Sequence, residues 1–332
     1  MQVLQFDVQA HGVAADVAVV ELTENRLTAG QPAAQRVPAS IVIGVDRSGA
    51  VPVVNTADFD LLLTAATTAP HTWISVAADG MDKEIARISD AVTRIGLPAV
   101  VLAQVLRITR ELARTDALLV ESFAYSTLLG GQSFRNWLRA RGARKQSLSG
   151  SRVRCEREAD VLAIFMANPS RRNALDARMR DELVEALAAA SDDPTAPTVQ
   201  LRADGPDFCA GGDLAEFGVA GDLAQAHAIR SLRSPAMLLG AIASRATAYV
   251  HGACVGAGIE IPAAAGRVVA AADAQFWLPE LAMGLIPGAG GTVTITRRIG
   301  RQRLLHWALG GQRINAVTAR DWGLIDEVRG NL

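Results

Sequence analysis

From residue 161 onward, short apolar runs alternate with segments of helical period, and this alternation restricts the fold more than any other feature of the chain. VLAIFMA (161–167), TVQLRA (198–203), ATAYVHG (246–252) and RVVAAA (267–272) read as strands. Asn168-Pro169 reads as a turn, and DARMRDELVEALAAASD (176–192) as an amphipathic helix with Asp near its start. Strands that alternate with helices are joined by crossovers, which predicts an α/β arrangement with parallel pairing.

The preceding residues follow a different grammar. Residues 1–37 mix short apolar runs with a polar TAGQPAAQR loop. SIVIGVD (40–46) reads as a strand, FDLLLTAA (59–66) as a helix and TWISVAA (72–78) as a second strand. Helical patterns follow over 82–95, 98–114, 116–129 and 133–141. RGARKQSLSGSR (141–152) is basic and polar with Gly and Ser, the best linker in the chain. A length of 332 residues gives a soft prior of two domains. The expected division is an N-terminal mixed domain over 1–142, a linker over 143–152 and a second domain over 153–332.

Half the residues are hydrophobic, enough for a sizeable core. A net charge of -1 argues against a nucleic-acid surface, which needs a basic patch. Cys155, Cys209 and Cys254 lack the spacing of a metal site or disulfide framework. Cys209 and Cys254 sit among small apolar residues and read as buried thiols, which fits a reducing cytoplasm. MQVLQFDVQAHG has no basic region followed by an apolar run, so no signal peptide is expected. No uncharged apolar stretch has the length of a membrane span.

The stretch from 252 to 292 is rich in Gly and Ala yet holds Glu260 and Glu280. Buried carboxylates are costly unless paired or neutralised. From the residues alone, structural ion pairs and acid–base chemistry are both open.

NPSRRNALD, DFCAGGDL, YVHGACVGAGIE, ADAQFWLPELAMGLIPGAGGT and RRIGRQRLLHWALGGQRINAVTARDWGLIDEV occur in that order over residues 161–329. In sequence and order they resemble the core of the enoyl-CoA hydratase/isomerase family, the crotonases. The resemblance implies a ββα spiral core, here with an additional N-terminal α/β domain ending in helices. It implies an acyl-CoA substrate and no separate cofactor, because the substrate carries its CoA. It also implies a homo-trimer or hexamer, with neither nucleic acid nor membrane as partner.

The family polarises a thioester carbonyl between two backbone N–H groups. The positions that match are Ala210 and Ala257, the latter where the family usually has Gly. Glu260 and Glu280 match the two carboxylates of the family's hydratases. The resemblance makes Glu280 the proton donor to C2 and Glu260 the group that holds and activates water. On the CoA side it points to Arg171, Arg172, Asn173, Ala174, Phe208, Gly211 and Asp213, with an arginine available to the CoA phosphates. GAGG (288–291) reads as a structural turn beside Glu280, His251 as a packed residue, and Trp277 as a bulky group narrowing the acyl site. Hydration of a 2-enoyl-CoA leads. Isomerisation, dehydration, C–C cleavage and a non-catalytic assembly role stay open.

The family continues past the segment matching GLIDEV into helices that cover the acyl site, whereas this sequence stops at Leu332. Residues 97–142 are similar in character to those helices. They are expected to pack over the acyl pocket of their own or a neighbouring subunit.

Overall fold

The computed structural model describes residues 16–22, 40–142 and 150–330. The TAGQPAAQR loop and residues 143–149 of the linker lie outside the described residues. The chain begins with β1 (Asp16–Glu21), β2 (Ser40–Asp46), β3 (Leu61–Thr64) and β4 (Ile74–Ser75), which form a parallel sheet in sequence order. Residues 59–66 therefore do not form the expected helix. Leu61, Leu62 and Leu63 are wholly buried, and β3 pairs Leu61 with Ile43 and Leu63 with Val45. A strand buried on both faces is an unbroken apolar run, which periodicity cannot tell from a buried helix. The strand expected over 72–78 contracts to the two residues of β4.

Helices α1 (Met81–Ile95), α2 (Leu97–Ile108), α3 (Arg114–Leu129) and α4 (Gln132–Arg141) follow. The chain bends by 107° between the first two, at Gly96, whose φ of +71° suits glycine. No single helix among the described residues is long and apolar enough to cross a membrane.

The second half runs β5 (Val153–Glu158), β6 (Val161–Met166), α5 (Ala177–Asp192), β7 (Thr198–Ala203), α6 (Leu223–Leu232) and α7 (Pro235–Ala241). It continues through β8 (Ala246–Val250), β9 (Ala253–Val255), α8 (Ala257–Glu260), β10 (Arg267–Ala271) and β11 (Gln275–Trp277). Last come α9 (Gly291–Ile299), α10 (Arg301–Gly310), β12 (Ile314–Asn315), α11 (Ala316–Asp321) and β13 (Glu327–Arg329). One sheet has the order β13-β10-β8-β7-β6-β5, parallel except for the β5–β6 hairpin. A smaller sheet joins β9, β11 and β12. Strand β5 escapes the sequence reading because VRCERE is polar and mostly exposed at the sheet edge.

One cluster of buried apolar side chains runs from Ile41 through α1 and α2 into the second half as far as Ile325. Polar ties cross the same boundary. Arg301 Nη2 donates to the carbonyls of Thr56 (2.7 Å) and Phe59 (2.6 Å). Asp60, wholly buried, accepts from Val42 N at 2.8 Å and takes Arg107 on both oxygens at 2.7 and 2.5 Å. Arg301 lies 3.6 Å from the same carboxylate. Removing one partner of a buried pair leaves the other charge uncompensated, at a cost of about 3–5 kcal/mol. Asp60→Ala is expected to lose that much in urea unfolding. A loss of under about 1 kcal/mol, the scale of an exposed pair, would deny Asp60 this role.

Candidate active site

Two backbone segments lie side by side at the centre of the second half. Residues 208–212 run parallel to β9: Phe208 N donates to His251 O, Cys209 N to Ala253 O and Val255 N to Cys209 O, each at 3.0 Å. At Gly256, φ of +47° turns the chain from β9 into α8. A Cβ on Gly258 would lie 2.5 Å from Cys209 O, so this close approach requires glycine. Cys209 and Cys254 are buried between these strands, while Cys155 is exposed.

This packing decides which amides are available. Ala210 N donates to Arg172 O at 2.9 Å, so the amide matched to the family's first donor is already committed. The next residues bridge to the loop before α5: Leu175 N donates to Gly211 O (2.8 Å) and Asp213 N to Leu175 O (3.0 Å). In a parallel bridge the residue between those two bonds turns its own N–H to the opposite side. That residue is Gly212, whose amide donates to nothing among the described residues. The amide left free at this turn is thus that of Gly212, while that of Ala210 is bonded. Ala257 opens α8 on right-handed backbone, so its methyl group causes no strain. Its N–H belongs to the first turn, which has no intrahelical acceptor. Gly212 and Ala257 both line a cavity of about 690 Å³.

Glu260 and Glu280 line the same cavity. Glu260 ends α8, and Glu280 opens a short turn after β11. A Cβ on Gly256 would strike Glu280 Oε1 and lie 3.6 Å from Glu260 Oε1. The two carboxyls therefore converge on one point. Glu260 Oε2 accepts from Ala289 N at 2.7 Å and Gly291 N at 2.9 Å. Glu280 Oε2 is buried and has no hydrogen-bond partner among the described residues. Burial pushes Glu280 up to about 8, with the charge of Glu121 adding to the effect. Glu260 is raised well above the usual carboxylate range by burial, then by Glu280 and Glu121. Gly256→Ala would force a side chain into left-handed backbone and push Glu280 aside. Misplacement by about 1 Å can cost 10²-fold. Turnover is expected to fall on that scale while circular dichroism keeps its shape.

A third carboxylate holds this arrangement from the opposite side. Glu121, buried on α3, accepts from Gly290 N (2.8 Å), Thr292 N (2.9 Å) and Thr292 Oγ1 (2.6 Å). Successive amides of the turn at 289–292 thus go alternately to Glu260 and Glu121. Burial raises Glu121 to about 7, against the lowering effect of these donors. The amides of the GAGG turn serve Glu260 and Glu121. Tyr125, one turn further along α3, packs against Gly288. The first residues of α4 cover Gly284, where a Cβ would lie 2.5 Å from Phe134 N.

The CoA-side expectations divide. Gly211 and Asp213 line the cavity; Arg171, Arg172, Asn173, Ala174 and Phe208 do not. Phe208 is a core residue against His251, too buried to touch a ligand. Asn173 is wholly buried, and its amide accepts from Asn168 N and donates to the carbonyls of Asp204 and Asp207. It holds the loop shape. Arg171 pairs with Asp213 and Arg172 with Asp207, both arginines remaining partly exposed. Trp277 faces Arg313, 4.2 Å from the ring centre, and does not line the cavity.

The family model for enoyl-CoA hydratase/isomerase matches residues 156–331. The chain belongs to that family. Among its relatives, the mevalonyl-coenzyme A hydratase of Beauveria bassiana is 32% identical, over 51% of this chain and 63% of that protein. The 2,3-dehydroadipyl-CoA hydratase of Escherichia coli is 34% identical, over 52% and 67%. This member of the family thus matches about two thirds of the length of such relatives. The enoyl-CoA hydratase of Thermoplasma volcanium superposes with a TM-score of 0.51 at 28% identity, over 55% of this chain and 73% of the other. The second half is accordingly the crotonase spiral core, preceded by the four-stranded sheet and the helices α1–α4.

Against that family pattern, sequence reasoning overlooked Gly212 and gave Glu121, on a helix expected to cover the acyl pocket, no role of its own. The second glycine of CAGGD held a signal for Gly212, had the bridge to Leu175 been drawn. Nothing local marks a role for Glu121, because its donors, Gly290 and Thr292, lie 169 and 171 residues away.

Proposed function

We propose that this protein hydrates a 2-enoyl-CoA to the 3-hydroxyacyl-CoA. The observation that carries the reading is the unpartnered Oε2 of Glu280, in a cavity it shares with Glu260 and two amides suited to an oxyanion. The Gly212 and Ala257 N–H groups polarise the thioester carbonyl, so charge moving onto that oxygen meets donors already in place. Glu260, oriented by Ala289 and Gly291, positions water and takes its proton as the oxygen attacks C3. Both carboxyls have raised proton affinities and, as a coupled pair, hold one proton between them, which Glu280 delivers to C2. Hydration thus moves one proton onto one carboxyl and one off the other, and a proton passed between the two resets the pair. Relatives named as hydratases support this choice. The wall supplied by α3 and α4 limits bulk water at the reacting carbons.

The test follows loss of the conjugated enoyl-thioester absorbance over a series of 2-enoyl-CoA chain lengths. Hydration of at least one member is expected, with the 3-hydroxy product identified by mass. Migration of the double bond without water addition would replace this reading with isomerisation. Millimolar CoA thioester that neither binds nor reacts would overturn it.

A further inference from the structure

The cavity wall beyond the glutamates contains Arg230 of α6. Its guanidinium lies 4.7 Å from the ring centre of Tyr125. Nε donates to Ser122 Oγ at 3.3 Å, and Nη2 donates to Ser126 Oγ. No carboxylate among the described residues forms an ion pair with it. The nearest acid in its field is Glu121, whose two oxygens already accept from Gly290 and Thr292. Other cavity arginines are differently placed: Arg180 pairs with Asp181, Arg233 lies 4.0 Å from both Asp181 and Glu185, and Arg135, also without a carboxylate, is exposed and donates to Gly130 O and Gln132 Oε1. A half-buried guanidinium held by neutral hydroxyls and an aromatic face is a charge without a counter-ion. Burial lowers its pKa, as expected for a cation taken from water without an anion. Its placement has a direction: Tyr125 packs against Gly288 beside Glu260 and also against Arg230. An acyl chain leaving the glutamates along that ring runs toward the guanidinium.

We propose that Arg230 forms a subsite for an anion at the far end of the acyl group, so that the substrates are enoyl-CoA thioesters whose chain ends in a carboxylate. The inference rests on the hydratase reading for the position of the thioester. A guanidinium binds a carboxylate through two parallel N–H···O bonds. Ser122 and Ser126, by holding the fork, keep it ordered before the ligand arrives.

Calorimetry with two saturated, unreactive thioesters of equal length tests the subsite without turnover. Hexanedioyl-CoA is expected to bind at least about tenfold more tightly than hexanoyl-CoA, the effect of about 1.4 kcal/mol. Arg230→Gln should bring the two affinities together, and Arg230→Lys should keep part of the difference. Circular dichroism checks that each variant is folded. Equal or weaker binding of hexanedioyl-CoA by the native protein overturns the proposal, as does a preference that survives in Arg230→Gln. Turnover of trans-2-hexenoyl-CoA and trans-2-hexenedioyl-CoA judges the hydratase reading separately. A binding preference without hydration of either leaves the subsite standing and removes the hydratase. Hydration of both with no binding preference does the reverse.

Discussion

Glu260→Gln and Glu280→Gln are each expected to lower the proposed hydration of a 2-enoyl-CoA by about two to four powers of ten, the usual scale of general acid–base contributions. Glutamine keeps the shape of each side chain, so the loss reports proton transfer rather than packing. Because the two carboxyls converge beside Gly256 and, on the proposed mechanism, act on one water, the double variant should lose far less than the product of the single losses. If Glu260→Gln stays active while Glu280→Gln is dead, a single-acid, isomerase-like site is the better account. Stability moves the other way. Glu280 has an ordinary affinity for protons when unfolded and a folded value raised to about 8. As pH rises from about 4.5 to 8, the unfolded chain gives up this proton first. Stability present at low pH is therefore lost across that window. Glu280→Gln removes the loss, so the inactive variant should resist urea better than the native protein at pH 8.5, and about equally at pH 4.5. The expected gain is on the order of a few kcal/mol. A variant less stable than the native protein at pH 8.5 would contradict the buried, proton-holding carboxyl.

The second large effect is expected at Glu121, which touches no reacting atom and acts through the turn it shares with Glu260. Glu121→Ala strands Gly290 N, Thr292 N and Thr292 Oγ1 in a buried setting. Each unmet group costs about 1–3 kcal/mol, so urea unfolding should show a loss of several kcal/mol. Glu121→Gln keeps an acceptor and tests positioning in a folded chain. It also removes a negative charge that raises the proton affinities of Glu260 and Glu280. The alkaline limb of the kcat profile should therefore move to lower pH. An unmoved pH profile in Glu121→Gln would leave Glu121 a structural residue only.

Legibility differed by element for physical reasons. Strands β6, β7, β8 and β10 were readable because each is an apolar run bounded by turn residues. Strand β3 misled because three successive leucines carry no period. The two glutamates stood out as carboxylates in an apolar stretch. The proposed oxyanion donors were harder, since any residue has an amide and only the bridging register shows which one is committed. At position 210 the register, and not the side chain, decides. Phe208 and Asn173 lie within matching motifs, yet their burial puts them behind the site rather than in it. Arg230 carried no local signal at all: its meaning lies in the partners it lacks.

The bonds between α3 and the turn at 289–292 join positions 169 and 171 residues apart, and those from Arg301 to β3's approach span 242 and 245. On the ribosome, Glu121 and the apolar surface of α2 are made long before the turn and helices that receive them. Helices synthesised first must wait with greasy faces bare, a state open to aggregation and to chaperones. Contacts so distant in sequence also slow folding, because chain ends must meet before any reward arrives. The site around Glu260 is therefore completed late, when α9 emerges and closes onto a wall that has been waiting for it.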